Sequence, residues 1–374
     1  MASFASLHTK SYPRISPSNP LNSHAGRTIL IVGASCGIGF QISKSFALAG
    51  AARVILVSRN AERLASASAT LANSLPSSLH ALPAIVEELV CNIGRDDDIF
   101  ALWGELRRRR VDVDVLVLCA TPHERNGSVL SITDLAAALD GNVLAEMKMV
   151  SLFVQHCTFM AREAGRPGEA VRGSVSPPAR WTGERATTYS PSPSFRDAAQ
   201  HYQPDVHTHP QPQRSAFRSP EPEWSNKTII NVSSFLAHMN PVPSQGIYAA
   251  TKAALASLLQ HLATEYDPVR LHVVNVHPGI VLTERSIRKG LTETSLPWVD
   301  VELPGDFCAW AATSQAHFLH GRFVWANWDV DDLMHRQKSI SQDSGMLKIG
   351  LQGVEHVDIR QVFNQLGSNA ADGQ

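Results

Sequence analysis

TILIVGASCGIG, residues 28–39, joins a short apolar β-branched run to a glycine-rich turn. The run has the length and composition of a buried strand. Residues 38–49 follow with Ile38, Ile42, Phe46 and Ala49 on one helical face. Strand, glycine turn and helix in that order form a cradle for a phosphate. The turn offers free N–H donors, the helix its positive end, and the missing Cβ atoms permit close approach. The spacing in Gly33-Ala34-Ser35-Cys36-Gly37-Ile38-Gly39 is G-x-x-x-G-x-G rather than the G-x-G-x-x-G of the general dinucleotide fingerprint. A tight turn whose glycines serve packing alone is the competing reading. The strand–turn–helix context favours a nicotinamide cofactor.

The same alternation continues outward. Strands are expected at 53–57, 85–91, 113–118, 228–232, 271–276 and 321–325, and helices at 60–75, 96–110, twice within 132–161, and at 248–266. Repeated βαβ units predict an α/β fold with a doubly wound parallel sheet of Rossmann type. One window breaks the pattern. Residues 162–226 hold ten of the 22 prolines and eight arginines but no Leu, Ile, Met or Lys. Such a composition supplies no core, so it reads as a disordered insertion or as translated noncoding sequence retained in a gene model. Residues 1–25 form a Ser- and Pro-rich tail, and 331–374 a C-terminal extension. What remains, 26–161 and 227–330, is one domain of about 240 residues, an ordinary size.

Composition narrows the function. Net charge is −1 at pH 7, so no global basic field points to nucleic acid or an anionic membrane. No run approaches the roughly 18 apolar residues of a membrane span. Five scattered cysteines, odd in number and without C-x-x-C, argue against a disulfide framework and fit a reducing, cytoplasmic compartment. No metal site is expected, since His201, His207 and His209 lie in the Pro-rich window without cysteines or clustered acids. Arg107 to Arg110 fall at the end of an expected helix, where cations complement the dipole.

Two further clusters carry chemistry. After the second strand come Ser58, Arg59 and Asn60, with no acid before Glu62. A hydroxyl and a guanidinium suit the 2′-phosphate of NADP(H), which an acid would repel. Tyr248 and Lys252 stand i, i+4 on one helix face, and a cation beside a phenol favours the phenolate, preparing proton exchange near neutrality. Ser234, just past a strand, can hydrogen-bond the same reacting oxygen.

Taken together, these motifs resemble the short-chain dehydrogenase/reductase family. ILIVGASCGIG resembles its glycine turn, VSRN its NADP-preferring strand end, and LDGNV the segment with its helix asparagine, Asn142. NVSSFLAHMNPVPSQGIYAATKAAL resembles its Ser…Tyr-x-x-x-Lys block, and NVHPGIVLTE its Pro-Gly cofactor loop. The tail and GRFVWANWDVDDL resemble fungal members associated with secondary metabolism.

The resemblance implies that Tyr248 is the general acid in reduction or base in oxidation. Lys252 would tune it and hold the nicotinamide ribose, Ser234 would orient the carbonyl, and Asn142 would hold a relay water. Gly33, Ser35, Gly37, Ile38, Gly39, Ser58, Arg59, Asn92 and Ala120 would bind the cofactor, with Pro278, Gly279, Val281 and Thr283 fixing the carboxamide side. Asn142 has a rival reading as a helix-bending core amide. There are departures from the family pattern: Val32 replaces a threonine, Asn92 an aspartate, and Leu118-Cys119-Ala120-Thr121 the usual Asn-Asn-Ala-Gly. The last places a Cβ, at Thr121, where the family lets its backbone approach the cofactor.

The expected activity is NADP(H)-dependent reduction of a ketone or aldehyde, or oxidation of the alcohol. Residues 284–301 should form a lid, and Leu291, Leu296, Pro297 and Trp298 in it hint at a bulky apolar substrate. A homo-oligomer is compatible with the resemblance. The altered fourth-strand motif keeps open a non-catalytic NADP(H)-binding sensor or scaffold.

Overall fold

The computed structural model describes residues 7–75, 84–121, 128–165, 224–239, 241 and 243–350. Contacts divide the chain into Met1–Ala161 with Trp224–Gln374, and Arg162–Glu223. The expected insertion falls largely on 166–223, and the three window histidines wholly so, outside the described residues.

Seven parallel strands form one sheet in the order β3-β2-β1-β4-β5-β6-β7. They are β1 Thr28–Val32, β2 Arg53–Ser58, β3 Ile85–Val90, β4 Val115–Leu118, β5 Lys227–Val232, β6 Leu271–His277 and β7 Arg322–Trp325. The helices between them are α1 Gly37–Leu48, α2 Ala61–Ser74, α3 Asp96–Arg108, α4 Ile132–Leu139, α5 Ala145–Ala164, α6 Gly246–Leu262, α7 Glu284–Arg288, α8 Glu302–Ala311, α9 Val330–His335 and α10 Gln337–Gln342. The Rossmann-type sheet expected from the sequence is present, with strand ends shifted by at most two residues, while the helix expected at 248–266 is α from Gly246 to Leu262 and then a 3₁₀ turn, Ala263–Glu265.

Strand periodicity explains the two-sided core. Ile29 and Ile31 face one layer with Phe46, Phe307 and Trp310, while Leu30 and Val32 face the other with Trp103, Phe153 and Leu259. Residues i and i+1 point to opposite faces, so a strand covered on both must be apolar throughout. The strand order reverses between β1 and β4, and the crevice at such a switch is where α/β sheets bind ligands.

Residues outside the expected domain are sewn into it. Ile15 is fully buried. The His8 N–H donates to the Asn327 carbonyl at 2.7 Å, and Asn327 Nδ2 donates back to the His8 carbonyl at 2.8 Å. Asp306 of α8 accepts from Ser11 at 2.5 Å and from Ser45 of α1 at 2.6 Å. Leu333 and Ile340, in α9 and α10, are buried in the main core. Trp224 donates to Thr158 Oγ1 at 3.2 Å, so the sheet domain resumes at Trp224. Lys227, at the start of β5, is buried, and its Nζ lies 2.8 Å from both Asp112 and Asp114. The basic run closes α3: Arg109 pairs with Glu87, and Arg110 takes a left-handed φ of 53°.

Candidate active site

The glycine turn leaves β1 and crosses to the end of β2, where the N–H of Gly33 donates to the Val57 carbonyl at 2.8 Å. Gly33 has φ 88°, a left-handed conformation that costs other residues free energy. A Cβ there would lie 2.8–2.9 Å from the backbone of Cys119 and Ala120. A Cβ on Gly39 would fall onto the Gly33 carbonyl oxygen. These two glycines therefore serve packing. Gly37 differs: among the described residues only the Thr283 side chain comes within 4 Å of its Cβ position, across the cleft. Ser58 Oγ donates to Ser35 Oγ at 3.0 Å, tying the turn to the end of β2.

A cavity of about 540 Å³ opens over the ends of the strands. At one end stand Ser58, Arg59 and Arg63, and at the other Ser234, Tyr248 and Lys252. Asn92, Ala120, Pro278, Gly279, Val281 and Thr283 also line it, as do Gly33, Ser35, Gly37, Ile38 and Gly39. Of the catalytic and cofactor-binding residues named from sequence, Asn142 alone does not, and of the four lid residues Pro297 does not. The segment Asp140–Leu144 is a π-helical turn, and Asn142, buried there, donates from Nδ2 to Thr251 Oγ1 at 3.2 Å. It bonds the helix that carries Tyr248 and Lys252, as the core-amide reading allows. π-Turns inside helices recur at functional sites.

Each reactive side chain has a structural reason for its place. Ser234 caps a short 3₁₀ turn, Phe235–Ala237, and its Oγ accepts from the Leu236 N–H at 3.3 Å. As that oxygen already accepts, its own proton is available to donate. Tyr248 and Lys252 lie on the first turns of α6, with Lys252 Nζ 5.8 Å from the Tyr248 ring centre. Asn92 accepts from the Gly94 N–H at 3.1 Å through Oδ1, which stabilises its own turn.

Sequence reading missed His277 and Phe235, both of which line the cavity. His277 Nδ1 is 3.2 Å from the Phe235 N–H and accepts from it. Burial pushes the imidazole down to about 3, with His238 adding to the effect, so the ring is neutral with its proton on Nε2. The signal was its position directly before Pro278-Gly279. The expected lid is partly realised. Val281 bridges to Val299, Leu291, Leu296 and Trp298 line the cavity, and Glu284 of α7 pairs with Arg63 of α2.

A dinucleotide fits these residues. The N-terminus of a 12-residue helix opens into the cavity, glycine removes side chains along the approach, and Arg59 stands exposed at its rim.

The family model described as short chain dehydrogenase matches residues 27–172 and 221–293. The chain is similar to the short chain dehydrogenase/reductase nsrO of Aspergillus novofumigatus, 29% identical over 92% of this chain and 94% of that protein. It is similar to AacuD of Aspergillus aculeatus, also described as a short chain dehydrogenase/reductase, at 30% identity over 92% and 94%. Among solved structures, L-sorbose reductase from Gluconobacter frateurii complexed with NADPH and L-sorbose superposes with a TM-score of 0.57 at 18% identity, covering 82% of this chain and 97% of that one. The chain belongs to the short-chain dehydrogenase/reductase family, a family of oxidoreductases acting on alcohol and carbonyl groups. All five cysteines are free, and among the described residues no helix is long and apolar enough to cross a membrane.

Proposed function

We propose that the protein is an NADP(H)-dependent carbonyl reductase or alcohol dehydrogenase. The observation that carries the reading is one cavity holding the glycine turn, Arg59, Ser234, Tyr248 and Lys252. A bound nicotinamide supplies or accepts the hydride. Ser234 donates its hydroxyl proton in a hydrogen bond to the carbonyl oxygen. As that oxygen gains negative charge, the Tyr248 O–H bond breaks and its proton passes to it. Lys252 stabilises the phenolate that is left. Oxidation runs the same steps backwards.

Arg59 and the absence of an acid at the end of β2 support NADP(H) over NAD(H). Leu291, Leu296, Phe235 and Trp298 support a bulky apolar substrate. The fungal sources of the relatives support a place in small-molecule, secondary-metabolite biosynthesis.

The test is NADPH oxidation against a panel of bulky ketones and aldehydes. Tyr248→Phe should lose at least ~100-fold in turnover, the usual weight of a general acid. Full activity in that variant overturns the mechanism. Binding of NADPH with no turnover on a broad panel favours a sensor or scaffold. Arg59→Ala should weaken NADPH and leave NADH unchanged; an equal effect on both removes the cofactor assignment.

A further inference from the structure

One buried acid takes no part in the chemistry above. Glu146 lies on α5, one turn beyond Asn142, and is 2% exposed. Both carboxyl oxygens are shut off from solvent, and neither has a hydrogen-bond partner among the described residues. A buried carboxyl without a partner costs several kcal/mol if charged, so such a group is rare and calls for an explanation. The neighbourhood supplies one. Asn142, four residues earlier, bonds Thr251, and Thr251 adjoins Lys252 on α6. Lys252 is the one charged group among the described residues whose field acts on Glu146. Lys252 Nζ, in turn, bonds the Val232 carbonyl at 3.1 Å and sits beside the Tyr248 ring.

We propose that Glu146 is a positioning residue for the reaction, which acts through Lys252 by setting how much of the lysine's positive charge reaches Tyr248. The proposal rests on the Tyr248–Lys252 reading above. With the carboxyl neutral, the Lys252 charge faces Tyr248 uncompensated and stabilises the oxygen charge left as the hydroxyl gives up its proton. When the carboxyl ionises, it offsets part of that charge and the proton transfer slows. Burial pushes the carboxyl up to about 8, while Lys252 pulls it back, so the change falls in a range where enzymes are assayed. Glu146 passes nothing to substrate or cofactor; its one change is the loss of its own proton, which reaches bulk water when the packing around it opens transiently.

The experiment is the pH dependence of kcat and KM from pH 6 to 10 for the full chain, Glu146→Gln and Tyr248→Phe. A single ionisation near pH 8 makes wild-type kcat fall roughly tenfold between pH 7 and 9. Glu146→Gln, neutral throughout, should fall less than about twofold over the same range, with KM for NADPH unchanged. Overlaid profiles for wild type and Glu146→Gln, with Tyr248→Phe inactive, overturn this proposal and leave the mechanism standing. Turnover retained in Tyr248→Phe overturns the mechanism itself. If Glu146→Gln does not fold, ¹³C-glutamate NMR replaces it. The Glu146 titration, read in wild type and in Lys252→Met, should move to higher pH when the cation is lost. An unmoved titration rejects the coupling.

Discussion

Lys252 donates from Nζ to the Val232 carbonyl at 3.1 Å, bridging the helix that carries Tyr248 to the strand end that precedes Ser234. The two halves of the proposed catalytic arrangement come from separate elements, and this bond fixes their spacing. Lys252→Met keeps the stem and removes both the bond and the charge. Turnover should fall by ~10²-fold or more. Stability should drop by only about 1–2 kcal/mol, the cost of one lost bond to a charged donor. Steady-state kinetics and urea denaturation of the same preparation separate the two effects.

Glu284 ties the lid to the cofactor end through Arg63, with a second contact to Arg288 at 3.8 Å. Both partners of the Arg63 pair are substantially exposed, so the pair is worth about 1 kcal/mol or less to stability. Glu284→Ala should therefore leave Tm unchanged and raise KM for NADPH by no more than about fivefold. A large Tm loss would contradict the lid assignment.

Gly39 has no room for a methyl group, because the Gly33 carbonyl oxygen occupies the place. Gly39→Ala must push the turn away from α1. The expected loss is at least about 1–3 kcal/mol in chemical denaturation, with NADPH binding weakened in parallel. Gly104, with no described residue within 4 Å of its Cβ position beyond its own helix, is the control, and Gly104→Ala in the interior of α3 should stabilise by about 0.5–1 kcal/mol.

Acid should destabilise the protein from just below neutrality. Burial lowers the imidazoles of His24 and His156 to about 4 and that of His277 to about 3. Unfolded histidines take up protons near pH 6.5, while these three stay neutral in the fold until much lower pH. Their contribution is complete above pH 6.5 and is lost as the pH falls towards 4. Each such histidine removes up to ~1.4 kcal/mol per pH unit in that window. Urea midpoints measured from pH 7 to 4.5 should fall steadily; a flat profile contradicts the assignment. Lys227 behaves otherwise, since Asp114 and Asp112 outweigh the cost of its burial and raise its pKa. Its charge is thus secure throughout that range.

The sheet was legible because parallel strands buried on both faces must be apolar runs, as Ile29 to Val32 and Val115 to Leu118 are. That Ser234, Tyr248 and Lys252 line one cavity was legible, because Tyr248 and Lys252 share a helix face and Ser234 follows a strand end. Glu146 and His277 were not, because their significance is burial and neighbours, which no periodicity encodes. Nor was the strap at residues 7–22, whose bonds reach partners some 300 residues away, such as Ser11 to Asp306 and His8 to Asp329. A Ser- and Pro-rich stretch resembles a tail until the groove that receives it exists.

Thr158 and Trp224 meet at 3.2 Å, so the sheet domain holds its own ends together on either side of residues 166–223. We propose that this stretch is dispensable for catalysis. A chain with 166–223 replaced by a short Gly-Ser linker should fold, and its NADPH turnover should stay within about twofold, since loop length alone costs little. Sequencing the mature transcript tests separately whether the stretch is encoded at all.

The strap also sets an order of events during synthesis. Its residues leave the ribosome before β1, and its partners Asn327, Asp329 and Asp331 only after β7. The segment must therefore wait, without those partners, while β1 to β7 are translated. Its closure is a late step of high sequence separation, and such contacts form slowly. Full protection of Ile15 from exchange should consequently lag behind that of Ile29.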